Sequence, residues 1–470
     1  MLLDRDEIDL AAVEAVAKSR IEVRFQNIDA ADKELQSSID VLSLRLEKGE
    51  ALYGISTGFG GSANLRTGDT HALQRSLLQM QHSGITPVIR RAAPGEPRLL
   101  ASETCMPSSW VRGAMLIRCK SLLRGYSAVR MDIIQSILAL LNNDMIPLVP
   151  LRGSISASGD LQPLSYLAGA IEGNPAVYLW ADDGNGGREI IAADAALARL
   201  KLQPIDFGPK EGLAVLNGTA ISTAVGALAL RETHHLALLT QILTAMSVEA
   251  LAGLADSFDP IFAKVRPHPG QTEVAMNIQH FLRGSKLALF NRDGERDKGG
   301  LKQDRYSIRT ASQWIGPQLE DLLLAHAQIS TECNSVTDNP LIDARTDTIH
   351  NGGNFQAVSV TSAMEKSRMA LQMFGRILFS QCTELINPAT NNGLPPNLAA
   401  DDPSTSYTMK GLDISVAAYA SELGFLANPV SSHVHTAEMG NQAINSLALI
   451  SARYTYTAIE TFSMLSASYL

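Results

Sequence analysis

The stretch "AVGALALRETHHLALLTQILTAMSVEALAGLA", residues 224–255, decides the fold class. Alanine and leucine dominate it, and side chains that give up little rotamer freedom in a helix favour helix over strand. Just upstream, residues 213–230 are the most apolar part of the chain, yet Asn217, Thr219, Ser222 and Thr223 interrupt them and Arg231 and Glu232 follow. That pattern suits a buried helix better than a membrane span. Working outward, apolar-periodic stretches at 212–255, 311–334, 357–386, 410–427 and 437–470 alternate with polar joints rich in Gly and Pro. Long antiparallel helices packed as a bundle would bury those faces, so the chain reads as mainly α. The last pattern runs into Leu470 without a stop signal.

The N-terminal part is less regular. Residues 1 to about 50 read as helical segments, and "YGISTGFGGSANLRTGDT" (53–70) reads as a mobile loop, because Gly at 54, 58, 60, 61 and 68 cannot hold a regular element. Helical periodicity returns over 71–146, broken around "TPVIRRAAPGEP" and "MPSS". "DDGNGGRE" (182–189) marks a turn in a small hairpin, the expected place for strands. These shifts put a domain boundary near 210, with an N-terminal domain at 1–210 and a central helical bundle at 211–470.

Composition excludes several function classes. Of 470 residues, 39 are Lys or Arg and 48 are Asp or Glu, giving a net charge of −9 and a pI near 5.6. No run of basic residues could neutralise a phosphate backbone, so no nucleic-acid partner is expected. Cys105, Cys119, Cys333 and Cys382 lie far apart with no CxxC pair, which excludes a zinc knuckle or dithiol motif and fits buried, reduced thiols in the cytoplasm. The start "MLLDRDEIDLAAVEAVAKSR" carries acids throughout and lacks the features of a secretory signal, and no membrane partner is expected.

Unusual residues collect in the joints. They are Asn217 in "VLNGTA"; Gln303, Arg305, Tyr306 and Arg309 in "LKQDRYSIRT"; Asn339 in "TDNPL"; Phe355 in "HNGGNFQ"; Lys410 in "MKGLDI"; and His433, His435, Glu438 and Gln442 in "HVHTAEMGNQ". Singly, each has a plain explanation: a satisfied core amide, a solvated helix face, a turn, a surface lysine. His433, His435 and Glu438 form an HxHxxE pattern, but on a helix positions i and i+2 point to different sides, and no second cluster supports a metal; none is expected. "LRGSISASGDLQPLSYLAGA" (151–170) sets Ala157, Ser158 and Gly159 together, three side chains ill suited to acid/base work. By residues alone this is a turn, with Asp160 as N-cap and Pro163 tolerated in the first helical turn.

Taken together, "YGISTGFG", "RGSISASGDLQPLSYLAGA", "GPKEGLAVLNGTA", "KQDRYSIRT", "TDNPLI", "GGNFQ" and "GLDISVAAYASELGFLANPVSSHVHTAEMGNQAINSLALISAR" resemble the aromatic amino acid ammonia-lyases, with the fungal phenylalanine ammonia-lyases nearest. The likeness runs from about residue 50 to 453. It implies a fumarase/aspartase-like helical fold, with a prosthetic group in the 1–210 domain: 4-methylidene-imidazol-5-one (MIO), formed autocatalytically when Ala157, Ser158 and Gly159 cyclise and lose two waters. No external cofactor is implied. Small residues let the backbone fold onto itself, and Ser158 supplies the hydroxyl whose loss creates the methylidene.

By the same resemblance Tyr53 is the base for the β-proton, on a loop able to close. Arg309 is implied as the carboxylate clamp, where a planar fork suits two oxygens. Asn217 and Tyr306 support the MIO and the amine, surrounded by Gln303, Asn339, Phe355 and Gln442, while Lys410 and Glu438 form a pair near the amine. Leu77, Leu161 and Leu213 complete the lining. At the aryl-binding position this chain carries Met80 and Gln81, unlike the pairs relatives use, and relatives continue past the point matching Leu470 with further helices. The implied reaction is non-oxidative deamination of an aromatic L-amino acid, with phenylalanine to trans-cinnamate and ammonia preferred. Tyrosine deamination, a 2,3-aminomutase and a silent scaffold member are the alternatives, and a homotetramer in which several chains build each site is implied.

Overall fold

The computed structural model describes residues 1–4, 6–86, 104–289 and 303–470. The expected break at "TPVIRRAAPGEP" lies largely outside them. Among the described residues no helix is long and apolar enough to cross a membrane.

The chain forms two compact units that interleave in sequence: Met1–Leu228, Gln328–Thr361 and Val430–Ala452 make one; Ala229–Ala327, Ser362–Pro429 and Arg453–Leu470 make the other. The chain therefore first leaves the first unit after Leu228, not near residue 210.

In the first unit the helix Ser108–Leu122 is the centre of the core, with every residue from Trp110 to Leu122 buried. Its start explains the break at "MPSS": Pro107 stands at the N-cap, where a missing N–H costs nothing. Helices Leu10–Lys18 and Met131–Asn142 pack against it. The first is capped by Asp9, whose side chain accepts from the Ala12 N–H. The expected hairpin pairs Tyr178–Asp182 with Arg188–Ala192, Tyr178 opposite Ala192 and Asp182 opposite Arg188, and a third antiparallel strand, Ile146–Pro147, joins beside Tyr178–Asp182. That third strand has only two residues, too few for periodicity to reveal.

The second unit is helical. Gly375, in the helix Val358–Ile386, lets Leu423 of the helix Lys410–Leu426 approach closely, and Phe374 meets Phe462 of the helix Ala448–Tyr469 with ring centroids 6.3 Å apart. Gly270, in the helix Pro269–Phe281, passes directly against Gly316 of the helix Ala311–Cys333. Within this unit Thr244 Oγ1 and Gln381 bond across two helices at 3.3 Å.

One expected element is shorter than its pattern. The helical stretch read over 437–470 begins only at Ala448, because Glu438, Met439 and Gly440 all have positive φ (52°, 53° and 85°), which no helix accommodates. Residues 434–447 are irregular apart from an isolated bridge between Ala437 and Gln442. His435 and Glu438 of the HxHxxE pattern therefore do not lie on a helix.

Candidate active site

The Ala157-Ser158-Gly159 turn is fixed from below. Asp160 is the N-cap residue of the helix Leu161–Glu172, with Pro163 in its first turn as expected, but its carboxylate does not cap that helix. It turns instead to the start of the helix Ala220–Ala250, accepting from the Ser222 N–H at 2.7 Å and Ser222 hydroxyl at 2.9 Å, and from Ser156 Oγ at 3.1 Å. Those donors are worth more to a buried carboxylate than one local cap, and the helix terminus favours negative charge. Asp160 is fully buried, and loss of solvation pushes its pKa up to about 6 against the opposing pull of these donors.

Gly159 has φ 70° and a side chain there would collide with the Gly218 carbonyl, so only glycine fits. The parallel bridge between Gly159 and Gly218 uses the Asp160 N–H, which donates to Gly218 O at 2.7 Å, so the Gly159 nitrogen is not spent on it. Asn217 Nδ2 donates to Ser158 O at 2.9 Å and Gln442 Nε2 to Ser158 Oγ at 3.2 Å. Asn217 is itself held by buried Arg118, which donates through Nη2 to Asn217 O at 3.0 Å and to Ala214 O. A small, largely buried turn with donors on its serine, and with a glycine nitrogen that has no hydrogen-bond partner among the described residues, suits the cyclised group.

Opposite stands the glycine-rich loop. Tyr53 Oη accepts from the Gly60 N–H at 2.8 Å, and Glu438 Oε1 accepts from the Gly61 N–H at 2.8 Å. Any side chain at Gly60 would strike the Glu438 carboxylate. Asn441 Nδ2 donates to Glu438 Oε2 at 2.6 Å, so the positive-φ run at 438–440 aims that carboxylate back at the loop. Burial raises the Tyr53 pKa, the Gly60 amide lowers it, and the Glu438 charge raises it. Gln74, in the helix Thr70–Gln81, is fully buried, and no local sequence signal sets it apart from the other polar residues of that helix. It clamps the loop, donating to Gly54 O at 3.0 Å and accepting from the Leu213 N–H at 2.9 Å.

Between turn and loop lies a cavity of about 450 Å³. Of the residues singled out in the sequence, Tyr53, Leu77, Met80, Gln81, Ala157, Ser158, Leu161, Leu213, Asn217, Asn339, Phe355, Glu438 and Gln442 line it, all from the first unit. Phe59, Ala63, Gln356, Asn441 and Ile444 also line it and were missed; the last three sit one or two residues from a residue that was found, and Phe59 and Ala63 lie on the same loop as Tyr53. Gln303, Tyr306, Arg309 and Lys410 belong to the second unit and are not in the lining, so one chain's first unit does not assemble the whole expected set. Spacing along the chain carries no record of which unit a joint serves. There Tyr306 is largely exposed, with the Arg309 guanidinium 4.7 Å from its ring centroid.

The chain matches the family model described as aromatic amino acid lyase over residues 8–470. It is 53% identical over 469 residues to phenylalanine ammonia-lyase hkm12 of Aspergillus hancockii, and 51% identical over 470 residues to a phenylalanine aminomutase (L-beta-phenylalanine forming) of Talaromyces islandicus; each alignment covers 99% of this chain and 65% of the relative. The chain thus spans about two thirds of the length of the curated relatives it matches. The crystal structure of phenylalanine ammonia-lyase from the yeast Rhodosporidium toruloides superposes with a TM-score of 0.92 at 44% identity, covering 100% of this chain and 67% of that one. The mainly helical architecture is accordingly the fumarase/aspartase-like fold, and the chain belongs to the aromatic amino acid lyase family.

Proposed function

We infer that the protein deaminates an aromatic L-amino acid without oxidation, with L-phenylalanine giving trans-cinnamate and ammonia. The observation that carries this reading is the cavity in which the Tyr53 hydroxyl, the Ala157-Ser158-Gly159 turn, Asn217 and Glu438 converge. The turn fits an MIO, an electrophile that makes an amine a better leaving system. Asn217 and Gln442 hold its serine position, and Asp160 with Ser222 fixes the backbone beneath.

This chain's own residues do the remaining work. Leu77, Met80, Leu161 and Leu213 offer the aryl ring an apolar wall, and Met80 gives a para-hydroxyl only a weak sulfur acceptor, which favours phenylalanine over tyrosine. Tyr53, which lines the cavity, takes the β-proton when ionised. Glu438 and Asn339 supply polar atoms toward the amino and carboxyl end. Gln303, Tyr306, Arg309 and Lys410, absent from this lining, act from neighbouring copies in a homotetramer, with Arg309 clamping the carboxylate. Its site is cytoplasmic.

Incubating the chain with L-phenylalanine and, separately, L-tyrosine, while following cinnamate, coumarate and ammonia, tests the reading; cinnamate should form faster. Intact mass should fall two waters below that of the translated sequence. Absence of both the mass deficit and ammonia release overturns it. The aminomutase relative at 51% identity supports a second outcome, in which β-phenylalanine accumulates in place of free cinnamate.

A further inference from the structure

Two buried cations in the first unit share one carboxylate. Lys210 Nζ donates to Asp338 Oδ2 at 2.6 Å with both side chains fully buried, and that pair is neutral by itself. Arg118, on the helix Ser108–Leu122, is also fully buried and feels the same carboxylate, but its hydrogen bonds go elsewhere. Its Nη2 donates to the carbonyls of Ala214 and Asn217, the latter at 3.0 Å, while its Nε and Nη1 have no hydrogen-bond partner. Burial pushes its pKa down. A surplus buried cation with unmet donors costs stability, and such breaches of local rules collect at functional sites.

What Arg118 grips lies directly behind the 157–159 turn. Asn217 ends the helix Glu211–Leu216, its N–H still donating to Leu213 O at 2.8 Å. With its carbonyl fixed by Arg118, its side chain reaches Ser158 O at 2.9 Å. A side chain at Gly218 would strike Arg118 Nη1 and the Thr337 carbonyl, so the guanidinium packs against the next residue as well. In cyclisation the Gly159 nitrogen bonds to the Ala157 carbonyl carbon, whose oxygen leaves with the Gly159 and Ser158 amide hydrogens as the first water. Ser158 then gives its Cα proton to solvent, and the electron pair rests on Ser158 O as an enolate. The pair returns to form the Cα=Cβ bond and expels hydroxide, which with that proton makes the second water. A donor helps most where charge develops, and Asn217 Nδ2 meets that oxygen. We propose that Arg118 is a positioning residue for maturation of the prosthetic group: by holding the Asn217 carbonyl it aims the Asn217 amide at Ser158 O and promotes the second loss of water. The assignment rests on the lyase reading for the group that forms.

The test follows the intact mass of the full chain with time after cell-free synthesis, in the protease-resistant, folded fraction. Arg118→Met leaves the neutral Lys210–Asp338 pair in place; a one-water deficit should accumulate, with the second loss slowed roughly 10-fold or more. Asn217→Ala removes the donor itself and should slow that loss about 10²- to 10³-fold. The double variant should be no slower than Asn217→Ala, because Arg118 acts through that amide. Arg118→Lys keeps a donor and should mature at an intermediate rate. A lowered urea midpoint with unchanged kinetics of the mass deficit would assign Arg118 to the fold alone and overturn the proposal. Equal slowing of both losses, or additive effects in the double variant, overturns it too. If Arg118→Met yields no folded chain, Arg118→Lys decides, and maturation at the unsubstituted rate is the overturning result. An unsubstituted chain without any deficit defeats the lyase reading and the assignment together, whereas a deficit indifferent to Arg118 in a chain that deaminates phenylalanine defeats the assignment alone.

Discussion

The turn at 151–160 and the loop at 53–68 face one cavity and are held in opposite ways. The turn is tied by partners far away in sequence: Asn217, Ser222, Gln442 and Ser446, the last donating through its hydroxyl to Ser156 O at 2.7 Å. Ser156, Asp160, Ser222 and Ser446 are all buried, so the bonds among these four do not compete with water. The loop is tied mostly to itself, with the amides of Ile55, Ser56 and Thr57 crowding onto Leu52 O and a bridge between Thr57 and Arg66. Its link to Glu438 is made at the exposed Gly61. Under the proposed function the difference is apt: a backbone that cyclises needs a single enforced geometry, whereas a base that meets and releases substrate needs bonds that break cheaply.

The sharpest test of that contrast separates formation of the group from use of it. Ser158→Ala removes the hydroxyl, so the two-water mass deficit should vanish and turnover fall by roughly 10³-fold or more. Tyr53→Phe should keep the deficit while the chemical step slows about 10²- to 10⁴-fold, the usual range for a general base. Should Tyr53→Phe also lose the deficit, loop and turn are not independent and the comparison breaks.

Asp160 offers a stability test confined to the turn. Its pKa is raised above the ordinary carboxyl value to about 6 by burial, so the native state binds the proton more tightly than the unfolded state. The stabilisation is fully present below pH 3.8 and is lost as pH rises through 6. In Asp160→Asn this component, on the order of 3 kcal/mol, should be missing, and urea midpoints at pH 4 and pH 7 should lie closer together than in the unsubstituted chain. An undiminished gap would assign the pH dependence to other groups.

The smallest expected effect belongs to the loop. Glu438→Gln removes a negative charge that raises the Tyr53 pKa, so the limb on which rate increases with pH should move to lower pH. It should stop short of an ordinary tyrosine, because burial is the larger cause. A limb that stays in place would mean that ionisation of Tyr53 does not govern the rate.

How much of this was legible in the sequence depended on the range of the interaction. Helices at 311–333, 358–386 and 410–426 follow their apolar period almost to the residue, since amphipathic patterning is local information. The helix expected from 437 begins at 448 because the loop at 438–447 is shaped by Glu438 reaching Gly61, a partner 377 residues away. Asp160 reads locally as a cap for its own helix and in fact serves another, for the same reason.

By itself the sequence determined the mainly helical class, the glycine-rich character of the tyrosine loop, and the short unreactive triplet at 157–159, because composition and periodicity act over a few residues. Only the tertiary structure decided which joints share a cavity: residues near 53, 80, 158, 217, 339, 355 and 438 converge in one unit, while 303, 306, 309 and 410 fall in another. It also decided that Gln74 and Arg118 clamp the site. Burial and hydrogen-bond satisfaction are properties of neighbours in space, and a polar residue's letter is the same whether its partners are water or a buried helix end.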